Sequence, residues 1–300
     1  MPIIAYQSFN ANSSSEHGDK ALSFQRFTKS TNKFSMEQGH EILELPVIPE
    51  DTMAVVEGPA YKHEIEKLDK GDHTVQVFGA HITQVYQQFW RELGGMPNIM
   101  VIGELDASHP DFKKIVMGTN LDITPFPQKK ACQSFTAISQ GGPGSMISPL
   151  GSGIGFVAYS VMGWNVVFVH VPNEFATNAD KVEMFYYKIA KGFNGVGKTI
   201  HLVLGDTNQK SANFTANVLN SAFGTTAYQT AASKATMIDT FPSLTMGTNS
   251  TGKEMYDVAV YRSDLIDLKQ VVYISQSPTG ITVTDHCGLG VKIEAKTSTS

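Results

Sequence analysis

The sequence predicts an α+β protein in which two β-sheets pack face to face and helices lie outside them. Three observations lead there. Short apolar runs rich in β-branched residues recur from one end of the chain to the other, few helical patterns interrupt them, and 41% hydrophobic residues suffice for a substantial core. No composition shift, repeat or low-complexity tract divides the 300 residues, so the expectation is one domain spanning 1–300.

The elements follow in order. Ile3 to Phe9 reads as a strand, followed by the polar loop "NANSSSEHGDK". "TMAVVEG" (Thr52 to Gly58) reads as a second strand, ending at a Gly-Pro turn. In "HITQVYQQFWREL", Ile82, Val85, Tyr86, Phe89 and Leu93 recur at helical spacing, whereas "TVQVF" just before it looks extended. "NIMVIGEL" (Asn98 to Leu105) reads as a buried strand. Residues 131–155 are rich in Gly, Ser and Pro and read as a loop region. Strands resume at "GFVAYSV" and "NVVFVHV". The clearest helix is "ADKVEMFYYKIAKGF", with Val182, Phe185, Tyr186 and Ile189 on one face. "IHLVLG", "YDVAVY", "QVVYIS" and "ITVTD" supply the closing strands.

The totals exclude several classes. A net charge of −5 gives no global basic signature for nucleic acid, although a local basic groove is compatible with it. Lys113, Lys114, Lys129 and Lys130, in "DFKK" and "PQKKA", are candidates to border such a groove. No apolar run approaches the roughly 20 residues of a membrane span, and "MPIIAYQSFN" does not read as a secretion signal. Two cysteines, Cys132 and Cys287, make neither a disulfide framework nor a metal finger; whether they pair stays open.

"GFNGVGKT" (Gly192 to Thr199) matches the Gly-x4-Gly-Lys-Thr pattern of a phosphate loop. Such a loop works only when it leaves a strand and opens a helix, so that backbone N–H groups converge on phosphate. Here the segment leaves a helix and enters a strand. Its glycines and lysine are therefore read as a helix cap and turn.

The chemistry lies instead at strand ends. "IHLVLGDTN" ends in Asp206 and Asn208, which strand alternation would place on one face. "VVFVHV" carries His170, "YDVAVY" opens with Asp257, and "ITVTDHCGLGVKI" holds Asp285 and His286. "TMAVVEGP" ends near Glu57 and "IIAYQSFN" ends in Asn10. Each residue alone is an ordinary turn acid, amide or core histidine; six strands each presenting one is a pattern.

This set, in this order, resembles the endonuclease/exonuclease/phosphatase superfamily, and within it the nuclease subunit of cytolethal distending toxins. The toxin likeness rests on "FNANSSSE", "DTMAVVEGP", "ELGGMPNIMVI" and "TDHCGLGVKI". The resemblance implies a four-layer sandwich of two mainly antiparallel sheets flanked by helices. It also implies a phosphodiesterase that uses Mg²⁺, or else Mn²⁺ or Ca²⁺. Glu57 then corresponds to the principal metal ligand, assisted by Asn10 or Asp285, and Asp206 orients the attacking water. Asn208 and His170 hold phosphate oxygens, and His286 is an acid/base paired with Asp257. Glu104 in "VIGELD" is the alternative acid, ranked below Glu57 on local context. The sequence departs from the family pattern at Val56, where Gln is usual, at Thr284 for Ser, and at Cys287. DNA is the expected substrate, in the manner of an exported toxin or effector. The alternative is a phosphoinositide or sphingomyelin head group, for which "GPGSMISPLGSGIGF" would be a membrane-docking loop. A third reading is an inactive binding module that keeps the fold. Delivery subunits cannot be read from one chain.

Overall fold

A computed structural model describes residues 1–8, 75–107, 121–129, 133–142, 144–209, 212–231, 256–274, 286 and 288–297. Among them are twelve strands and four helices. The first third of this part of the chain holds β1 (Ile3–Ser8), α1 (Val75–Glu92), β2 (Ile99–Gly103), β3 (Leu121–Phe126) and β4 (Phe135–Gln140). Next come β5 (Ile147–Gly153), β6 (Phe156–Val161), β7 (Trp164–His170), α2 (Asn173–Ala176) and α3 (Ala179–Gly195). The remainder holds β8 (Leu202–Asp206), α4 (Ala212–Phe223), β9 (Tyr228–Thr230), β10 (Asp257–Arg262), β11 (Ile266–Ile274) and β12 (Gly288–Ala295).

The strands form two six-stranded sheets, ordered β11-β12-β1-β2-β4-β3 and β5-β6-β7-β8-β10-β9. Each sheet has a single parallel pair at its centre, β1 with β2 and β7 with β8; the other pairings are antiparallel. Alternation divides each central strand between two cores. Ile4 and Tyr6 of β1, with Ile99 and Val101 of β2, face the second sheet in the larger cluster. Ile3, Ala5, Met100 and Ile102 face the other way, onto Ile82, Val85, Tyr86, Phe89 and Leu93 of α1. On the far side, Val182, Phe185, Tyr186, Ile189 and Phe193 of α3 join the larger cluster beside α4. The order helix, sheet, sheet, helices is the expected four-layer α+β sandwich. Its inter-sheet layer is apolar because two sheets stacked about 10 Å apart leave no room for solvent.

Two expectations about elements are corrected. Val75 to Phe78 of "TVQVF" are helical, the first turn of α1. An alternating pentapeptide fits either period, and here continuity with the amphipathic helix decides. Residues 131–155 are not merely a loop, since they contain β4 and β5. β4 lies inside its sheet, between β2 and β3, where cross-strand bonds outweigh the turn propensity of its neighbours. Among the described residues β5 is an edge strand, paired with β6, and its register shifts between Pro149 and Gly151, a position where the sheet tolerates proline. "TMAVVEG" and "ITVTD", and with them Cys132 and Cys287, lie outside the described residues.

The phosphate-loop segment has the predicted architecture. After α3 the Gly197 N–H donates to Asn194 O at 3.0 Å and the Lys198 N–H to Phe193 O at 2.9 Å, closing the helix C-terminus. β8 then begins at Leu202.

Candidate active site

The carboxyl ends of β2, β7 and β8 and the amino end of β10 converge at one end of the sandwich. Parallel pairing aligns strand ends within each sheet: Ser8 of β1 stands opposite Gly103 of β2, and His170 of β7 opposite Asp206 of β8. Antiparallel pairing adds Asp257, opposite Asp206. His286 enters just ahead of β12.

The side chains form a row in which acid and imidazole alternate. Ser8 Oγ donates to Glu104 Oε1 at 3.3 Å. The same Glu104 oxygen lies 3.3 Å from His170 Nε2. Asp206 Oδ2 lies 3.7 Å from His170 Nε2 and 3.7 Å from His286 Nε2, midway between the two rings. His286 Nδ1 closes the row on Asp257 Oδ2 at 2.9 Å. All five ionisable groups are buried, Asp257 completely. Burial first, and then the fields of Asp206, Asp257 and Glu104, hold the Tyr6 phenol well above its ordinary pKa. This ring at the inner end of β1 senses the three carboxylates together.

Local backbone explains the aim of each acid. Gly205 has φ +144, and a Cβ there would lie 2.1 Å from Val169 O, so the residue before Asp206 has to be glycine for β8 to lie against β7. Asn208 sits at φ 50, and its N–H donates to Asp206 Oδ1 at 2.8 Å, while its side-chain amide donates to Val171 O at 2.8 Å. The expected alternation of Asp206 and Asn208 along a strand is thus replaced by a tight turn that clamps one oxygen of Asp206 and leaves the other facing the imidazoles. Glu104 is at φ 61, a left-handed position that costs a non-glycine residue about 1–3 kcal/mol and occurs preferentially where function demands it.

Of the residues singled out in the sequence, the structure brings His170, Asp206, Asp257 and His286 together, with Asn208 one turn away. Glu104, ranked second as the acid, is in the row; Glu57, ranked first, lies outside the described residues, as do Asn10 and Asp285. Ser8 and Tyr6 were not singled out. The signal for Ser8 was its place two residues before Asn10; Tyr6 gave none, since an alternating strand tyrosine reads as core.

The donor set suits a hard divalent cation. Glu104, His170 and Asp206 offer one ligand atom each, all within 4.8 Å of one another, and Asp206, Asp257 and His286 do the same. Carboxylate oxygens in such a cluster match Mg²⁺, Mn²⁺ or Ca²⁺, and concentrated buried negative charge favours a cation between them. A separate cavity of about 610 Å³, lined by Ile154, Phe156, Phe175, Met184, Phe185 and other residues between α3 and the β5–β6 turn, shares no residue with this row.

No family model matches the sequence, and no curated protein does either. Solved structures do. Zebrafish (D. rerio) TDP2, in complex with a single-strand DNA product, is similar at a TM-score of 0.50 and 11% identity, over 72% of this chain and 92% of that one. A Bacteroides thetaiotaomicron mannosyl-6-phosphatase is similar at a TM-score of 0.50 and 11% identity, over 98% of this chain and 100% of that one. An endonuclease/exonuclease/phosphatase from Bacteroides vulgatus is similar at 0.46 and 13%, over 72% and 91%. At these identities the likeness is one of fold alone.

Proposed function

We propose that the chain is a divalent-metal-dependent phosphoric ester hydrolase, and within that class a deoxyribonuclease that cleaves DNA by attack of water on phosphorus. The observation that carries this reading is the buried row Glu104–His170–Asp206–His286–Asp257, with Asp206 Oδ2 equidistant from two imidazoles. Glu104 is here assigned as a metal ligand, and the roles that the sequence resemblance gives to Glu57, Asn10 and Asp285 remain part of the proposal. A bound Mg²⁺ supplies neutralisation of phosphate charge and of the charge developing on the leaving oxygen.

The chain's own residues do the rest. Asp206, with Oδ1 fixed by the Asn208 N–H, directs Oδ2 to orient a water and accept its proton. His286 donates through Nδ1 to Asp257, which fixes the ring so that Nε2 faces the reacting side of Asp206. Carrying a second proton, it presents Nε2–H to a phosphate oxygen or to the leaving group. His170 and Asn208 donate to non-bridging oxygens, stabilising charge that grows in the transition state.

The test is nicking of supercoiled plasmid with Mg²⁺ and with EDTA, alongside His170→Ala and Asp206→Ala. Metal-dependent nicking is expected, with each variant slower by ~10²–10⁴-fold. Intact plasmid under all conditions would sink the DNA reading. The fold likeness to a mannosyl-6-phosphatase favours a second reading, a phosphoester on a sugar or lipid head group. Phosphate released from mannose 6-phosphate or a phosphoinositide, or phosphocholine released from sphingomyelin, without nicking, would establish it. Silence on all of these substrates would leave a binding module. Toxin or effector character, with separate delivery subunits, rests on the sequence resemblance alone.

A further inference from the structure

Gln7 is a buried amide on β1, and nothing in the row above uses it. The β1–β12 ladder runs from Ile3 opposite Lys292 to Tyr6 opposite Leu289. His286 lies beyond its end. There the Gln7 side chain adds to the backbone bridge that His286 makes: Nε2 donates to His286 O at 3.1 Å and to Ser8 O at 2.9 Å. One amide therefore ties the main chain of His286 to the main chain of Ser8, whose hydroxyl donates to Glu104. Gly288 leaves the space this requires, since a Cβ there would lie 2.7 Å from Gln7 Oε1.

We infer that Gln7 is a positioning residue for His286. The histidine is held at two points from two sheets: its ring by Asp257 of β10, and its carbonyl by Gln7 of β1. His170, at the end of β7, is reached from Gln7 less directly, through Ser8 and Glu104, and its backbone N–H donates to Gly155 O in the turn between β5 and β6. Loss of the amide donors thus disturbs His286 first and His170 far less. The catalytic part of this inference rests on the hydrolase reading; the positional part does not.

Gln7→Met keeps length and apolar contact and removes both donors. In ¹⁵N-histidine-labelled, metal-free protein at one fixed pH, the His286 ring resonances are expected to move and those of His170 to move far less. In the metal-loaded enzyme kcat is expected to fall by roughly 10-fold or more, the size of an outer-sphere orientation effect, with KM unchanged. Should Gln7→Met not yield folded protein, Gln7→Asn, which keeps the amide but withdraws it by one methylene, carries the same expectation. Folded variant protein in which neither histidine moves, or in which both move alike, would overturn the inference. If the wild type hydrolyses no phosphoester, the hydrolase reading fails, and the resonances alone still decide whether Gln7 positions His286.

Discussion

Asp206 is the residue on which the site turns. One oxygen is fixed by a backbone N–H and the other faces two imidazoles, while Glu104 and Asp257 bring two more carboxylates into the same buried end. Such a cluster favours a cation and strains the protein without one. Asp206→Asn keeps the acceptor for Asn208 and removes one charge, so in EDTA its Tm is expected to exceed that of the wild type. Mg²⁺ should then raise the wild-type Tm more than the variant's, since a ligand at a hundred times its Kd adds about 2.7 kcal/mol. Thermal scans with and without metal test both parts, and a variant less stable in EDTA with an equal response to Mg²⁺ would contradict them. At this scale the sequence showed most of the site. His170, Asp206, Asp257 and His286 each stood out as a polar group at the end of an apolar strand, and the family resemblance implied the Asp257–His286 pairing that the structure shows. That Glu104 joins the row was not legible. "VVEG" and "VIGE" are locally alike, and what puts Glu104 in the row is the parallel register of Ser8 with Gly103, a contact across 95 positions of chain that no local pattern encodes.

At the scale of elements, the end of the second sheet opposite the active site carries its own titratable group. His201 precedes β8, and its Nδ1 accepts the Asn165 N–H at 2.9 Å while its ring meets Trp164 edge-on. Burial first, then nearby Arg262, lowers the His201 pKa, with Asp264 opposing. The sign follows from the unfolded reference of about 6.5. As pH falls through that value the unfolded chain binds a proton that the folded chain refuses, so the stability from this group is present above it and is lost toward acid. His201→Gln, whose side-chain carbonyl can accept the same N–H, should give a flatter dependence of Tm between about pH 7.5 and about pH 5.5. Equal slopes for the two proteins would rule this out. Elements were legible where periodicity was long. α3 shows its apolar face plainly, and the turn closing it was read correctly against a complete but misplaced phosphate-loop match. β5 was hidden by its own Gly, Ser and Pro, and β4, whose Phe135, Thr136 and Ile138 are good strand formers, by the Gly/Ser/Pro-rich stretch that follows it.

Across the whole molecule, the two sheets meet through a continuous apolar layer in which Ile4, Tyr6, Val101 and Phe135 of the first pack with Tyr159, Phe168 and Leu204 of the second. No helix among the described residues is long and apolar enough to cross a membrane. The overall architecture was legible because many strands with few helices between them have few ways to bury both faces. The reactive row inherits a property from this layering. Glu104 follows a strand of one sheet and His286 precedes another strand of that sheet, whereas His170, Asp206 and Asp257 belong to the second. The row is a seam stitched across two plates, so a slip of one plate over the other by little more than an ångström opens it while every strand ladder stays intact. Catalysis should accordingly work as a vernier on the alignment of the plates, failing at urea concentrations below those at which far-ultraviolet ellipticity begins to fall. Coincident loss of the two signals would mean that the plates never slide without coming apart.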